Sequence, residues 1–298
     1  MTDYNGHDAA TQQPGAVPDS VIGTILRDRH SLTAEQVAAV IEHQNKYRVK
    51  FGEAAVALGL IRSEDVIWAL SQQFHYPYQP QPNGSGTEAL PELLVTANAP
   101  FSEQAEFFRD IRSQLLMAVF SNTDVPRSLA VTSAASGEGK TYFAANMAVA
   151  FSQLGARTLL IDADMRNPAM HDIFGIDSTA GLSSILADRS ETNVVRPVPS
   201  LPSLFLVPVG VKPPNPTELI QRPSFSLLLN ELYGKFDYII VDTPAVEFGS
   251  DALMVAARCG VTVTLARRNQ TKRAALETLV GRITKCPTRF AGVIVNDF

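Results

Sequence analysis

An apolar run, Leu129–Ser133, passes through Ser136-Gly137-Glu138-Gly139-Lys140-Thr141 and on into a helical run, Tyr142–Gln153. No other feature constrains the chain as strongly. Glycines let backbone N–H groups approach an anion, and the N-terminus of the following helix adds a favourable dipole. A lysine and a threonine at the helix start are then placed to reach the β- and γ-phosphates of a nucleotide and to ligate Mg²⁺. The strict phosphate-loop pattern asks for glycine where this chain has Ala134. An ordinary glycine-containing strand-to-helix turn is the competing reading, so neighbouring elements must arbitrate.

Strands are expected at Leu129–Ser133, Thr158–Asp162, Leu204–Val209, Tyr238–Asp242, Val261–Ala266 and Ala291–Asn296. They are mostly continuous apolar runs, suited to a sheet covered on both faces, and helical segments separate them. This order predicts an α/β fold with a doubly wound, mostly parallel sheet. Two of the strands run into acids, at Asp162-Ala163-Asp164-Met165-Arg166 and at Asp242-Thr243-Pro244. In a parallel sheet both sets emerge at the same carboxyl end as the glycine loop, where open α/β sheets bind ligands. Singly, such a carboxylate can be a helix N-cap. Joined to the loop, Asp242 is expected to hold Mg²⁺. Asp162 and Asp164 would share one face if the strand persisted, where one could orient or deprotonate an attacking hydroxyl; Asp162 joins the expected metal set.

With 298 residues the chain has room for about two domains. Residues 1–19 read as a disordered tail and 79–100 as a linker, because both are rich in polar residues, proline and glycine. Between them, 20–78 reads as a small all-α domain built on a repeat; the α/β domain is expected over 101–298. In the repeat Gly23 aligns with Gly52, Leu32 with Ile61, Val37 with Val66, Ile41 with Leu70 and Gln44 with Gln73. Each unit predicts a short helix, a turn and a longer helix. Thr33 and Gln36 form a capping box, Leu32 and Val37 a hydrophobic staple, and Val37, Val40 and Ile41 share one face.

The net charge of −5 and pI near 5.6 argue against a protein held by nucleic-acid phosphates. Cys259 and Cys286 are too few for a disulfide framework, which points to a reducing, cytoplasmic setting. No apolar run reaches the ~18 residues that span a bilayer. A membrane role is therefore expected to be peripheral, through a partner.

On these residues, 101–298 resembles the catalytic domain of the bacterial tyrosine kinases, P-loop NTPases that accompany polysaccharide chain-length determinants. SGEGKT matches their Walker A motif, LLIDADMRNPAMHDIFG their additional Walker A′ and DYIIVDTPA their Walker B. GVKPPNPTELI (210–220), Asp251-Ala252 and GVIVN (292–296) support the match. The resemblance implies ATP and Mg²⁺, with Lys140, Asp162, Asp164 and Asp242 as catalytic residues. It places Ser136, Gly137, Glu138, Gly139, Lys140, Thr141 and Tyr142 on the nucleotide, Asn296 near the adenine, and Thr141, Asp242 and Asp162 on the metal. Glu106, Arg109 and Arg112 match the family's E-x-x-R-x-x-R element, which implies a subunit interface in a homo-oligomer; the alternative is a solvated helix face. The implied function is protein-tyrosine phosphorylation that regulates exopolysaccharide chain length, polymerisation or export. The implied partner is the cytoplasmic segment of a membrane polysaccharide co-polymerase. Self-phosphorylating members carry a tyrosine cluster on a C-terminal tail. The seven tyrosines here form none, so little self-phosphorylation is expected.

A helical domain followed by this ATPase is similar to the EpsG-type chain-length-determinant kinases. The repeat itself resembles the MshEN-like N-terminal domain of type II secretion ATPases, versions of which bind cyclic di-GMP. Those versions open each motif with Arg-Leu-Gly, whereas these units open with Val21-Ile22-Gly23 and Lys50-Phe51-Gly52. The missing arginines predict weak or no cyclic di-GMP binding and favour a docking module. Two other function classes remain: a ParA/MinD-like ATP switch, which places a second lysine where this chain has Ala135, and a non-catalytic nucleotide-dependent assembly module.

Overall fold

The computed structural model describes residues 20–73, 92–121, 126–189 and 192–297. The expected tail, residues 1–19, lies outside them, as do Tyr76, Tyr78 and most of the expected linker. The chain divides into two compact units, Met1–Pro80 and Gln81–Phe298.

The first unit holds α1 (Ser20–His30), α2 (Ala34–Tyr47), α3 (Phe51–Ala57) and α4 (Ser63–Gln73). The capping box forms: the Gln36 amide donates to Thr33 Oγ1 at 3.2 Å and the Thr33 amide to Gln36 Oε1 at 2.9 Å. In the second repeat the Arg62 amide donates to Asp65 Oδ2 at 3.1 Å, so Asp65 does for α4 what Gln36 does for α2. Helix α1 packs on α4 and α2 on α3, each pair joining the two repeats. Leu26, Val40, Phe51, Ala54, Ala55, Ile61 and Ala69 are buried between them. Neither repeat closes this core alone. Of the expected apolar face, Val40 is buried and Val37 packs against the core, but Ile41 is 45% exposed. A Cβ on Gly52 would lie 2.7 Å from Val66 Cγ1, so this glycine is required by the close approach of α3 and α4.

The second unit opens with α5 (Val95–Asn98) and α6 (Glu103–Ala118). β1 (Ser128–Ser133), α7 (Lys140–Ser152), β2 (Thr158–Asp162), α8 (Met170–Phe174) and α9 (Leu182–Leu186) follow. Next come β3 (Arg196–Val198), β4 (Leu201–Val207), α10 (Pro216–Gln221), α11 (Pro223–Tyr233) and β5 (Tyr238–Asp242). A 3-10 turn (Val246–Phe248), α12 (Asp251–Ala256), β6 (Val261–Arg267), α13 (Arg273–Ile283) and β7 (Arg289–Asn296) complete it. Among the described residues the sheet runs β3-β4-β2-β5-β1-β6-β7, parallel throughout except for the β3–β4 pair. The fold is the expected doubly wound α/β architecture. Strand β3 carries no apolar run of its own and was not foreseen; it pairs with the outer side of β4 for three residues only.

Strands β1, β2, β5 and β6 are buried because helices cover both sheet faces. Helix α7 is buried on nearly every side and mostly apolar, as a helix enclosed between a sheet and other helices must be. One covering element corrects the domain reading. Residues 92–100, expected to be linker, belong to this unit, with Leu94 and Thr96 fully buried. Asn146 on α7 holds them: the Thr96 amide donates to Asn146 Oδ1 at 3.0 Å, and Asn146 Nδ2 donates to the Leu93 carbonyl at 2.9 Å. Composition suggested a linker because the anchor lies on a distant helix.

Candidate functional site

β1 lies between β5 and β6, so the loop it feeds opens beside the carboxyl ends of β5 and β2. Gly137 and Gly139 have φ of +75° and +91°, a region closed to most side chains, and Gly139 starts α7. Lys140 is buried, and its Nζ donates to Ser133 Oγ at 2.8 Å. The Glu138 side chain does not face outward for a ligand. It is buried and accepts from the Ala135 amide at 3.0 Å and from the Thr271 hydroxyl, bracing the loop from within. On the loop's other limb the Ser136 amide donates to Glu247 Oε1 at 2.6 Å, and the Glu247 amide donates to the Ala134 carbonyl at 3.2 Å. Arg267 Nη1 adds a bond to the Gly137 carbonyl at 3.3 Å. Glu247, Thr271 and Arg267 were not foreseen. They belong to no motif and reach the loop only through the sheet order.

The structure brings Asp162, Asp164 and Asp242 together, all buried. β2 ends at Asp162, so the expected common strand face for Asp162 and Asp164 does not form. Instead the Asp164 amide turns back to Asp162 Oδ1 at 3.1 Å, and Asp162 Oδ2 accepts from the Ala169 and Met170 amides at 3.3 and 3.2 Å. Asp162 thus shapes the turn that starts α8. Asp164 Oδ1 accepts from the Arg166 and Asn167 amides at 3.1 and 2.9 Å. Arg166 Nε in turn donates to Asp251 Oδ2 at 2.8 Å, tying this turn to α12.

Asp242 is different. Its Oδ2 accepts from the Thr141 hydroxyl at 2.7 Å, while its Oδ1 is buried and has no hydrogen-bond partner among the described residues. A lone buried carboxylate oxygen beside a threonine hydroxyl fits a hard cation. Burial pushes Asp242 up to about 7, against the opposing influence of Thr141 and Lys140. Burial, and then the neighbouring Asp242 charge, raise Asp162 well above the usual carboxylate range. A divalent cation would restore the ionised form at Asp242. Among the described residues no three or more His, Cys, Asp or Glu side chains form a metal cluster. Mg²⁺ takes one or two carboxylates and completes its shell with water and phosphate oxygens. Thr141 and Asp242 are the residues that fit it; both Asp162 oxygens are already engaged by backbone amides.

Beside the loop lies a cavity of about 350 Å³ lined in part by Phe107, Phe108, Tyr142, Ile294, Val295 and Asn296. Asn296 Nδ2 donates to the Glu138 carbonyl at 3.2 Å, which fixes the end of β7 to the loop. The Tyr142 ring meets Phe108 edge-on, and burial raises its hydroxyl above the ordinary value. On α6, Glu106 is 61% exposed and pairs with Arg109 at 2.7 Å. Arg109 also donates to the Pro100 carbonyl, and Arg112 to the Ala150 carbonyl. Both arginines of the expected interface therefore hold α6 to its own subunit. Among the described residues no helix is long and apolar enough to cross a membrane.

Residues 129–298 match the CobQ/CobB/MinD/ParA nucleotide-binding domain family. Over 204 residues the chain is 32% identical to a putative tyrosine-protein kinase, CapB, of Staphylococcus aureus, spanning 68% of this chain and 88% of CapB. It is 33% identical to the tyrosine-protein kinase CpsD of Streptococcus agalactiae over 192 residues, 64% of this chain and 82% of that one. The kinase domain of the Escherichia coli tyrosine kinase ETK superposes with a TM-score of 0.67 at 27% identity, covering 74% of this chain and 84% of that domain. Loop, strand-end acids, sheet order and these similarities agree: the chain belongs to the bacterial tyrosine kinases of the CapB/CpsD type, within the CobQ/CobB/MinD/ParA nucleotide-binding family.

Proposed function

We propose that this chain is an Mg-ATP-dependent tyrosine kinase and ATPase that regulates exopolysaccharide chain length, polymerisation or export. The observation that carries this reading is the Thr141–Asp242 contact with its unpartnered Asp242 Oδ1, set at the mouth of the glycine loop. Bound Mg²⁺ would neutralise charge on the nucleotide phosphates. Lys140, released from Ser133, reaches those phosphates, and the loop amides orient them. Asp164, less buried than Asp162, orients the attacking hydroxyl. Asn296 and the aromatic cavity take the adenine.

Of the three tyrosines of the nucleotide domain Tyr142 lines the cavity assigned to the adenine, and the acceptor tyrosine comes from outside that domain. Tyr233 shares a hydrogen bond with Ser128 at 2.8 Å and is pushed up to about 12 by burial; the Tyr238 ring packs at a tilt against Phe151. Neither can approach a phosphate without unfolding its surroundings. The chain works with the cytoplasmic segment of a membrane polysaccharide co-polymerase, as a homo-oligomer whose contact includes Glu106, and so is held at the membrane surface through that partner. The helical repeat, 20–78, serves as its docking module, which supports an EpsG-type assignment; cyclic di-GMP binds weakly or not at all. Phosphotyrosine mapping of the purified chain with Mg-ATP, with and without the co-polymerase segment, tests the reading. Phosphate on the partner, dependent on Lys140 and Asp242, is the expected result. ATP binding with no transfer to any tyrosine would leave the ATP switch.

A further inference from the structure

Glu247 is an exposed carboxylate whose one hydrogen bond to the glycine loop falls on an amide of that loop, Ser136 N–H, at 2.6 Å. Glycine loops bind phosphates through such amides, and a carboxylate on one of them occupies a position suited to a phosphate oxygen. The limb matters. The backbone amides of Gly139, Lys140 and Thr141, at the helix end, face the inner phosphates, whereas Ser136 lies on the limb beside the residues that follow Asp242, where the Lys140 side chain also reaches. That is the side on which Lys140 and the metal meet the outermost phosphate.

We propose that Glu247 makes this site discriminate between nucleoside tri- and diphosphates: its carboxylate and the terminal phosphate compete for the Ser136 amide. A triphosphate has to displace the turn that carries Glu247; a diphosphate leaves it docked. This rests on the reading of the loop as a nucleotide site. Two anions cannot share one N–H donor, and like charges at contact distance repel strongly near a protein surface.

The turn is exposed and is followed by a glycine. No residue of Val246–Phe248 is buried, and Phe248 is 41% exposed. Gly249, directly after it, has φ +147° and ψ −164°, a conformation open essentially to glycine alone. Beyond Gly249 the chain is pinned again, since Asp251 is buried and accepts from Arg166 Nε and, at 2.6 Å, from the Thr217 hydroxyl. The turn, held to the loop by the Glu247 carboxylate and by the bond of the Glu247 amide to the Ala134 carbonyl, sits between the buried Asp242 and the buried Asp251, with a glycine hinge on one side. Its lifting would report the terminal phosphate to α12 and, through Arg166, to the turn after β2.

The test is calorimetric titration of the full chain, in Mg²⁺, with ADP and with a non-hydrolysable ATP analogue, for wild type, Glu247→Ala and Glu247→Gln. The expected result for Glu247→Ala is an affinity for the ATP analogue raised about tenfold, the factor equivalent to 1.4 kcal/mol, with ADP changed less than about twofold. Glu247→Gln keeps an acceptor but loses the charge, and should fall between. Circular dichroism and thermal melts on the three proteins confirm that the fold is kept. Equal gains for both nucleotides, no gain for either, or weaker binding of the ATP analogue would overturn the proposal while leaving the nucleotide site standing. Failure of wild type to bind either nucleotide would overturn both.

Discussion

Asp162 and Asp242 are Cα partners on the adjacent parallel strands β2 and β5, and both side chains are buried. The register sets two acids of distant motifs side by side at the carboxyl edge of the sheet. Both carboxyl groups are raised, Asp242 to about 7. Without a cation, between the unfolded value near 4 and the folded value near 7, Asp242 is expected to keep in the folded protein a proton that the unfolded chain has released.

Proton linkage turns this into a pH dependence with a definite sign. A carboxyl group raised on folding contributes stability that is present below its unfolded value near 4 and is lost as pH rises through its folded value near 7. Thermal melts in the absence of Mg²⁺ and nucleotide should show wild type losing stability between pH 5 and pH 8. Asp242→Asn should melt higher than wild type at pH 8, by about 2–4 °C for each kcal/mol relieved. The same variant should lose Mg-nucleotide binding. An Asp242→Asn protein that melts below wild type at pH 8 would contradict the raised carboxyl.

Lys140→Met tests the phosphate loop. The substitution keeps most of the buried volume but removes the charge and its bond to Ser133. Charge-assisted hydrogen bonds contribute about 1.5–3 kcal/mol, so nucleotide affinity should fall ~10–100-fold. Fluorescence titration measures the loss, and far-UV circular dichroism should be unchanged. Unaltered affinity would remove the loop assignment.

Asn146→Ala addresses residues 92–100. Without the amide, the buried Thr96 N–H and the Leu93 carbonyl lose their partners. The cost should be about 1–3 kcal/mol. Urea denaturation should show a lower midpoint with little change in slope. A stability equal to wild type would mean that the segment is held by its apolar contacts alone.

Glu106 and Arg112 separate assembly from folding. Arg112 is bonded within its own subunit, so Arg112→Ala should lower the melting temperature in any assembly state. Glu106 is largely exposed, and surface changes of this kind usually stay within about 0.5 kcal/mol. Light scattering should find Glu106→Ala shifted toward smaller species with its melting temperature kept. If assembly is untouched by Glu106→Ala, this face is not the contact.

In the helical unit, Gly52→Ala should destabilise by ~1–3 kcal/mol, because the new methyl meets Val66 Cγ1 and overpacks α3 against α4. Gly23→Ala should be milder, its nearest neighbour being the Phe51 ring at 3.8 Å. Thermal melts of the full chain, followed by the Trp68 fluorescence of α4, compare the two. Equal effects would contradict the unequal spacing.

Local chemistry determined much of this protein. The capping box at Thr33 and Gln36, the apolar runs of β1, β2, β5 and β6 and the glycine loop into α7 depend on residues a few positions apart, so they are legible in one dimension. The motifs also marked the acids and the metal side of the site. Only the tertiary structure decided what those acids do. Asp162 is turned into the cap of α8 by amides of Ala169 and Met170, Glu138 faces inward to Thr271, and Arg109 and Arg112 close on carbonyls of their own subunit. Glu247 reaches Ser136 because β5 lies beside β1 in the sheet. Residues 92–100 become core because Asn146 waits on another helix. Several of these contacts join segments far apart along the chain, and a polar group takes whichever partner the packed sheet brings within hydrogen-bond reach.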